Sequence, residues 1–182
     1  RTFPVMRAFA GNHLDHVSPY VLFDEFEPVN VDAGSDPLRV DAHPHAGVTP
    51  TTYFLEGTGH HKDSLNYDFQ IGKGGFMMFS SGKGAIHMEE TGQKMYDEGG
   101  KYHGFQIWLN LPAAEKFSTP ITTLQDKGAF PVIETEAHRI KVIMGEVFGQ
   151  AAPTELHSPA FYYHVELRPG QRLDLPVNPT HN

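Results

Sequence analysis

The feature that most constrains the fold of this chain is its rhythm. Short apolar segments alternate with polar residues in period 2 and are broken repeatedly by Gly, Pro, Asn and Asp. Such alternation turns one face of a segment toward a core and the other toward solvent, as a half-buried strand requires. Phe105, Ile107, Leu109 and Leu111 share one face of the clearest segment. From Phe161 to Arg168, Phe161, Tyr163, Val165 and Leu167 oppose Tyr162, His164, Glu166 and Arg168, and Arg168-Pro169-Gly170-Gln171 follows as a tight turn. Thr51–Leu55, Gly75–Phe79 and Ile140–Met144 are further strand candidates, with Met77, Met78 and Phe79 read as core. Helix signals are confined to a turn or two at Ala113–Lys116. The pattern predicts an all-β barrel or sandwich.

Composition excludes several function classes. The 182 residues carry a net charge of −8, so a phosphate backbone is repelled and nucleic-acid binding through bulk charge is not expected. Cysteine is absent, which removes disulfides, thiolate metal sites and cysteine nucleophiles together. The longest apolar runs, such as Phe76–Phe79, fall far short of the roughly 18 residues of a membrane span. Arg1-Thr2-Phe3-Pro4 shows no signal-peptide apolar region, and the chain does not begin with Met. A soluble, cytoplasmic protein with no membrane partner is expected.

Four stretches are distinguished: an N-terminal segment 1–29, a module over 30–112, a linker over 113–134, and a second module beginning near 135 and running to 182. Leu173 and Leu175 alternate with Arg172 and Asp174, predicting one more strand. The second module then holds only about four strands, too few to close a barrel and remove its edges, so the native chain is expected to continue past Asn182.

Of twelve histidines, only those with partner spacing are informative. His43-Pro44-His45 puts two imidazoles at i and i+2, hence on one face of a strand, and His87-Met88-Glu89 does the same for an imidazole and a carboxylate. If the two strands are neighbours, His43, His45, His87 and Glu89 converge. Three nitrogens and a carboxylate suit iron, manganese, nickel, copper or zinc, and an octahedral shell would keep two positions for water, substrate or oxygen. Gly82-Lys83-Gly84 before the second pair allows a close backbone approach. His61 with Asp63 reads either as a pair orienting a ligand or as a surface turn; His60 points to the opposite face. Glu90 reads as a solvated carboxylate and His103 as a candidate for the cavity mouth. His13, His16, His138, His157, His164 and His181 read as surface or ordinary structural residues.

Asp41-Ala42-His43-Pro44-His45-Ala46-Gly47, Tyr53-Phe54-Leu55-Glu56-Gly57, His61-Lys62-Asp63-Ser64, Gly82-Lys83-Gly84-Ala85-Ile86-His87-Met88-Glu89 and Gly104–Leu111 together resemble the pirin family of the cupin superfamily, as does Val21–Phe26. The resemblance implies a cupin (double-stranded β-helix, jelly-roll) fold, arranged as a bicupin with the second barrel incomplete and without metal. It implies one iron, Fe(II), on His43, His45, His87 and Glu89, with Mn, Ni, Cu or Zn as alternatives. Where the family often reads Arg-Gly-Phe-Glu-Thr, this chain has Ala46-Gly47-Val48-Thr49-Pro50, and Thr49 is expected to alter the pocket wall or substrate choice. Two functions follow from the resemblance. One is an Fe(II) dioxygenase opening a flavonol such as quercetin with O₂, Glu89 serving as catalytic base. The other is a non-catalytic, redox-sensitive iron regulator acting through a protein partner. A general cupin binding or isomerising a small molecule is a third reading.

Overall fold

The computed structural model describes residues 4–11 and 14–176. His13, His181 and the chain beyond Pro176 lie outside the described residues. The chain divides into two compact units, Arg1–Lys127 and Gly128–Asn182.

The first unit contains strands β1 (Val5–Phe9), β2 (Tyr20–Val31), β3 (Arg39–His45), β4 (Val48–Glu56), β5 (Gly59–Asp63), β6 (Asp68–Ile71), β7 (Phe76–Ser80), β8 (Ala85–Thr91), β9 (Gly100–Asn110) and β10 (Ile121–Gln125). They form a six-stranded sheet ordered β1-β2-β9-β4-β7-β10 and a four-stranded sheet ordered β3-β8-β5-β6. Every pairing is antiparallel. Two of these strands, β1 and most of β2, come from the segment 1–29, and β10 comes from the stretch 113–134 read as linker. The period-2 segments at 51–55, 75–79 and 105–111 fall in or on β4, β7 and β9.

Between the two sheets lies a core that includes Phe26, Leu38, Phe54, Met77, Phe79 and Tyr102. Phe54 and Phe79 are almost wholly buried, and full burial of such a side chain contributes about 1.5–3 kcal/mol. One helix was not legible in the sequence: α1 (Gln93–Glu98) follows Gly92 with no side-chain cap and presents only Met95 to the core. Six residues give too little periodicity to detect. Ala113–Glu115 forms a 3-10 turn, as the weak helix signal there suggested.

The chain crosses from one sheet to the other at Ala46-Gly47, immediately after His45, with Gly47 at φ +69°. Gly47 N–H donates to Gly82 O at 2.8 Å, so this crossing is tied to the loop that precedes β8. Gly82 itself stands at φ +44°, and a Cβ added there would fall on the Ser118 carbonyl. Gly82→Ala should therefore lower the unfolding free energy by about 1–3 kcal/mol, read from the urea midpoint. An unchanged midpoint would mean that the loop has room to shift.

The second unit contains β11 (Val132–Glu134), β12 (His138–Met144), β13 (Glu146–Val147), β14 (Gln150–Ala151) and β15 (Tyr162–Leu167). β11-β12-β15 form one sheet and β13-β14 a hairpin. Ile140, Val142 and Val147 are the buried residues of its core cluster, against which Tyr163, Val165 and Leu173 pack. Residues 171–176 form no strand, contrary to the alternation of Leu173 and Leu175. Alternation alone does not make a strand without a ladder partner; here Leu173 reaches the core from irregular chain.

Candidate metal centre

The site is built on the four-stranded sheet. β3 lies beside β8 with His43 opposite His87, and β5 lies on the other side of β8 with Asp63 opposite His87 and His61 opposite Glu89. Two cross-strand rungs result, His43–His87–Asp63 and Glu89–His61. The i, i+2 spacing then places His43 with His45, and His87 with Glu89, on the face turned toward the six-stranded sheet.

The rings of His43, His45 and His87 have centroids 4.5–4.9 Å apart. Their donor atoms lie within 4.8 Å of one another. His61, His87 and Glu89 form a second group by the same measure, sharing His87. The structure thus brings the three predicted histidines together and links Glu89 to them through His87, with His61 as an added member. His61 is completely buried and paired to Asp63, so the surface-turn alternative is excluded.

The opposite sheet supplies the other walls. Thr52 Oγ1 donates to Glu89 Oε1 at 3.0 Å, and Gln106 Nε2 donates to Glu89 Oε2 at 2.9 Å. The Trp108 ring stands edge-on to His45 at 4.7 Å, while Phe79 stacks on His87 at 4.6 Å. Thr52, Gln106 and Trp108 were not singled out by the sequence; only strand parity opposite a ligand pair could have found them.

Three expectations are corrected. Thr49 does not line the pocket: it is buried on the face opposite Thr52, with its hydroxyl on Ser80 at 3.4 Å. His103 bonds Glu25 at 2.9 Å and packs against Phe105, on the face of β9 away from Gln106. Glu90 is not freely solvated, because Arg39 holds it at 2.9 Å and His60 Nδ1 stands 3.4 Å from it.

Electrostatics favour the ligand-competent forms. Burial, and secondarily nearby His43, push the His45 imidazole down to about 4. Burial, followed by His43, His45 and His61, pushes His87 down further. Both rings are therefore neutral at neutral pH, with lone pairs to offer. Burial raises the Glu89 carboxyl above its ordinary range, against the opposing pull of His61, Thr52, His43 and Gln106.

A divalent ion fits these donors. His43 Nδ1–H donates to Asp41 O at 2.7 Å, which leaves the Nε2 lone pair facing His87 Nε2 at 3.1 Å. Nitrogen ligands about 2.1 Å from one ion and about 90° apart stand about 3 Å from each other. Without an ion, a neutral His87 can carry its proton on Nε2 and donate it to His43; with one, both Nε2 atoms can turn their lone pairs to it.

Two facing antiparallel sheets with histidines and a carboxylate converging between them define an all-β cupin with a candidate metal centre. The chain belongs to the Pirin family, whose pattern it matches over residues 2–109. It is 31% identical over 183 residues to a Pseudomonas aeruginosa protein named "Putative quercetin 2,3-dioxygenase", covering 98% of this chain and 64% of that one. It is 34% identical over 168 residues to a Caulobacter vibrioides pirin-like protein, covering 90% and 58%. Its structure superposes on crystalline quercetin 2,3-dioxygenase from Acinetobacter baumannii with a TM-score of 0.87 at 26% identity, covering 93% of this chain and 60% of that one. The chain thus spans about three-fifths of the length of these relatives. Among the described residues, no helix is long and apolar enough to cross a membrane.

Proposed function

We propose that His43, His45, His87 and Glu89 hold a divalent metal, Fe(II) first among the candidates, and that the protein opens the ring of a quercetin-type flavonol with O₂. The observation that carries this reading is the convergence of three imidazoles, two of them buried and neutral, beside the Glu89 carboxylate. Mn, Ni, Cu and Zn also suit three nitrogens and one oxygen, and availability decides among them as much as affinity. The relatives named as quercetin 2,3-dioxygenases supply the substrate class. We place the metal-holding module within residues 30–112 and read 135–182 as the opening of a second module.

When bound, the metal would supply a Lewis acid that gathers the flavonol oxygens and O₂. The chain does the rest. Glu89 takes the proton of the flavonol 3-hydroxyl onto a carboxylate oxygen. Thr52 and Gln106, each bonded to one oxygen of Glu89, hold it in orientation. Phe79 and Trp108 flank the histidines with apolar surface, which limits water beside the substrate.

The test is aerobic turnover by Fe(II)-loaded protein, with flavonol absorbance, O₂ uptake and metal content read on one sample. One O₂ should disappear per flavonol, the reaction should stop with chelator, and it should resume when Fe(II) is restored. Metal-replete protein that leaves flavonols untouched would refute the enzymatic reading.

A further inference from the structure

A metal-bound histidine gives one ring nitrogen to the ion and the proton on the other to an acceptor that fixes the ring. For His43 that acceptor is the backbone oxygen of Asp41, 2.7 Å from Nδ1. His87 turns Nε2 toward His43 Nε2, so with an ion between them its proton sits on Nδ1. That Nδ1 is buried and has no hydrogen-bond partner among the described residues.

A matching acceptor stands beside it. His61 Nε2 lies 3.0 Å from Asp63 Oδ2, and an ionised carboxylate only accepts, so Nε2 carries the proton and the neutral ring keeps a lone pair on Nδ1. This Nδ1 is likewise buried with no hydrogen-bond partner among the described residues. The two ring centroids are 5.3 Å apart, and a ring nitrogen of one lies within 4.8 Å of a ring nitrogen of the other. A small tilt or one bridging water closes such a gap. One orphan nitrogen has a proton to give, and the other has a lone pair to receive it. The donor atoms of His61 group with those of His87 and Glu89, apart from His43 and His45, which suits support from outside the ion's shell.

His61 is held firmly enough for this task. Its ring is stacked on Phe69 at 5.2 Å and stands edge-on to Phe79 at 5.7 Å. Asp63 Oδ1 accepts from the backbone of Leu65 at 2.9 Å and of Tyr67 at 3.1 Å, and its Oδ2 accepts from Thr122 Oγ1 at 2.5 Å. Burial alone would raise this carboxyl, but the bonds from Thr122, His61, Tyr67 and Leu65 outweigh it and hold Asp63 ionised.

We propose that His61 is a positioning residue for His87: its Nδ1 receives the proton that His87 carries on Nδ1 when His87 Nε2 is given to the ion. The inference rests on the reading that His43, His45, His87 and Glu89 hold a metal. Asp63, His61 and His87 then form one line of hydrogen bonds that ends at the ion. It fixes the tautomer and plane of the His87 ring and strengthens Nε2 as a donor. The ion keeps its four protein ligands.

The test titrates the whole chain, its histidines ¹⁵N-labelled, with Zn(II) alone and reads the tautomer of each ring by NMR. Zn(II) should move the His87 proton to Nδ1 and protect it from exchange with water, while His61 keeps its proton on Nε2 and stays uncoordinated. His61→Leu should expose the His87 proton to exchange and lower Zn(II) affinity by about 10–100-fold in a chelator competition. His61→Asn, whose side-chain oxygen stands near the place of Nδ1, should recover most of that affinity. A histidine that merely fills space predicts the reverse order, with Leu as good as the wild type and Asn worse. An unprotected His87 proton in the Zn(II)-loaded wild type, or a coordinated His61, would overturn the inference and leave the metal reading standing. No Zn(II) uptake at all would sink both. The spectrum of the wild type decides the matter even if the variants fail to fold.

Discussion

Glu89→Gln, saturated with Fe(II), is expected to open flavonols about 10²–10⁴-fold more slowly than the wild type, the usual loss when a general base is removed. The substitution preserves shape and keeps one oxygen for Thr52, which donates to Glu89 Oε1. It places an amide N–H₂ against Gln106 Nε2, a donor 2.9 Å from the present Oε2, so the Gln106 amide must turn over to restore the bond. The buried imidazoles remain, so metal should still bind, more weakly. Turnover at saturating Fe(II), with metal measured on the same sample, separates the two losses. Full activity in the metal-loaded variant would remove Glu89 as the base. A variant restored merely by excess metal would point to a site whose only task is to hold the ion.

His87→Ala should have the larger effect on binding. His87 is the ring shared by both donor groups, in contact with His43, His45, His61 and Phe79. Loss of an outer partner already costs about 10–100-fold in affinity, and loss of the shared ligand should exceed that. At a metal concentration 100 times its Kd the wild type gains about 2.7 kcal/mol of stability by mass action, whereas the variant at that concentration should gain almost none. Metal-free stability should change less, because the truncation removes a buried Nδ1 that has no partner as well as packing. Thermal unfolding with and without metal reads both quantities. A metal-induced rise in Tm that survives in His87→Ala would contradict the assignment.

Much of the site was legible because strand chemistry is local. His-x-His and His-x-Glu declare a shared face through the two-residue repeat alone, and Gly82 and Gly84 mark the tight loop before β8. What escaped was set by pairing between distant segments. Nothing in His61-Lys62-Asp63 says that β5 lies beside β8 with His61 across from Glu89. Thr52 and Thr49 look alike in sequence, and only the sheet shows that one faces Glu89 and the other Ser80. β10 was hidden for a related reason. Its pairing with β7 depends on the edge that the wholly buried Phe76–Ser80 strand presents, not on any strong periodicity in Ile121–Gln125.

The rungs His43–His87–Asp63 and Glu89–His61 also bear on how the chain reaches its fold. A slip of one residue between β3 and β8, or between β8 and β5, turns every side chain of the shifted strand to the wrong face. His87 and Glu89 would then point outward, away from His43 and His61, and no cluster of donors would form. An ion that binds this cluster therefore rewards only one alignment of three strands. Metal present during folding would act as a proofreader of strand register, drawing misaligned sheets back toward the alignment in which the donors meet.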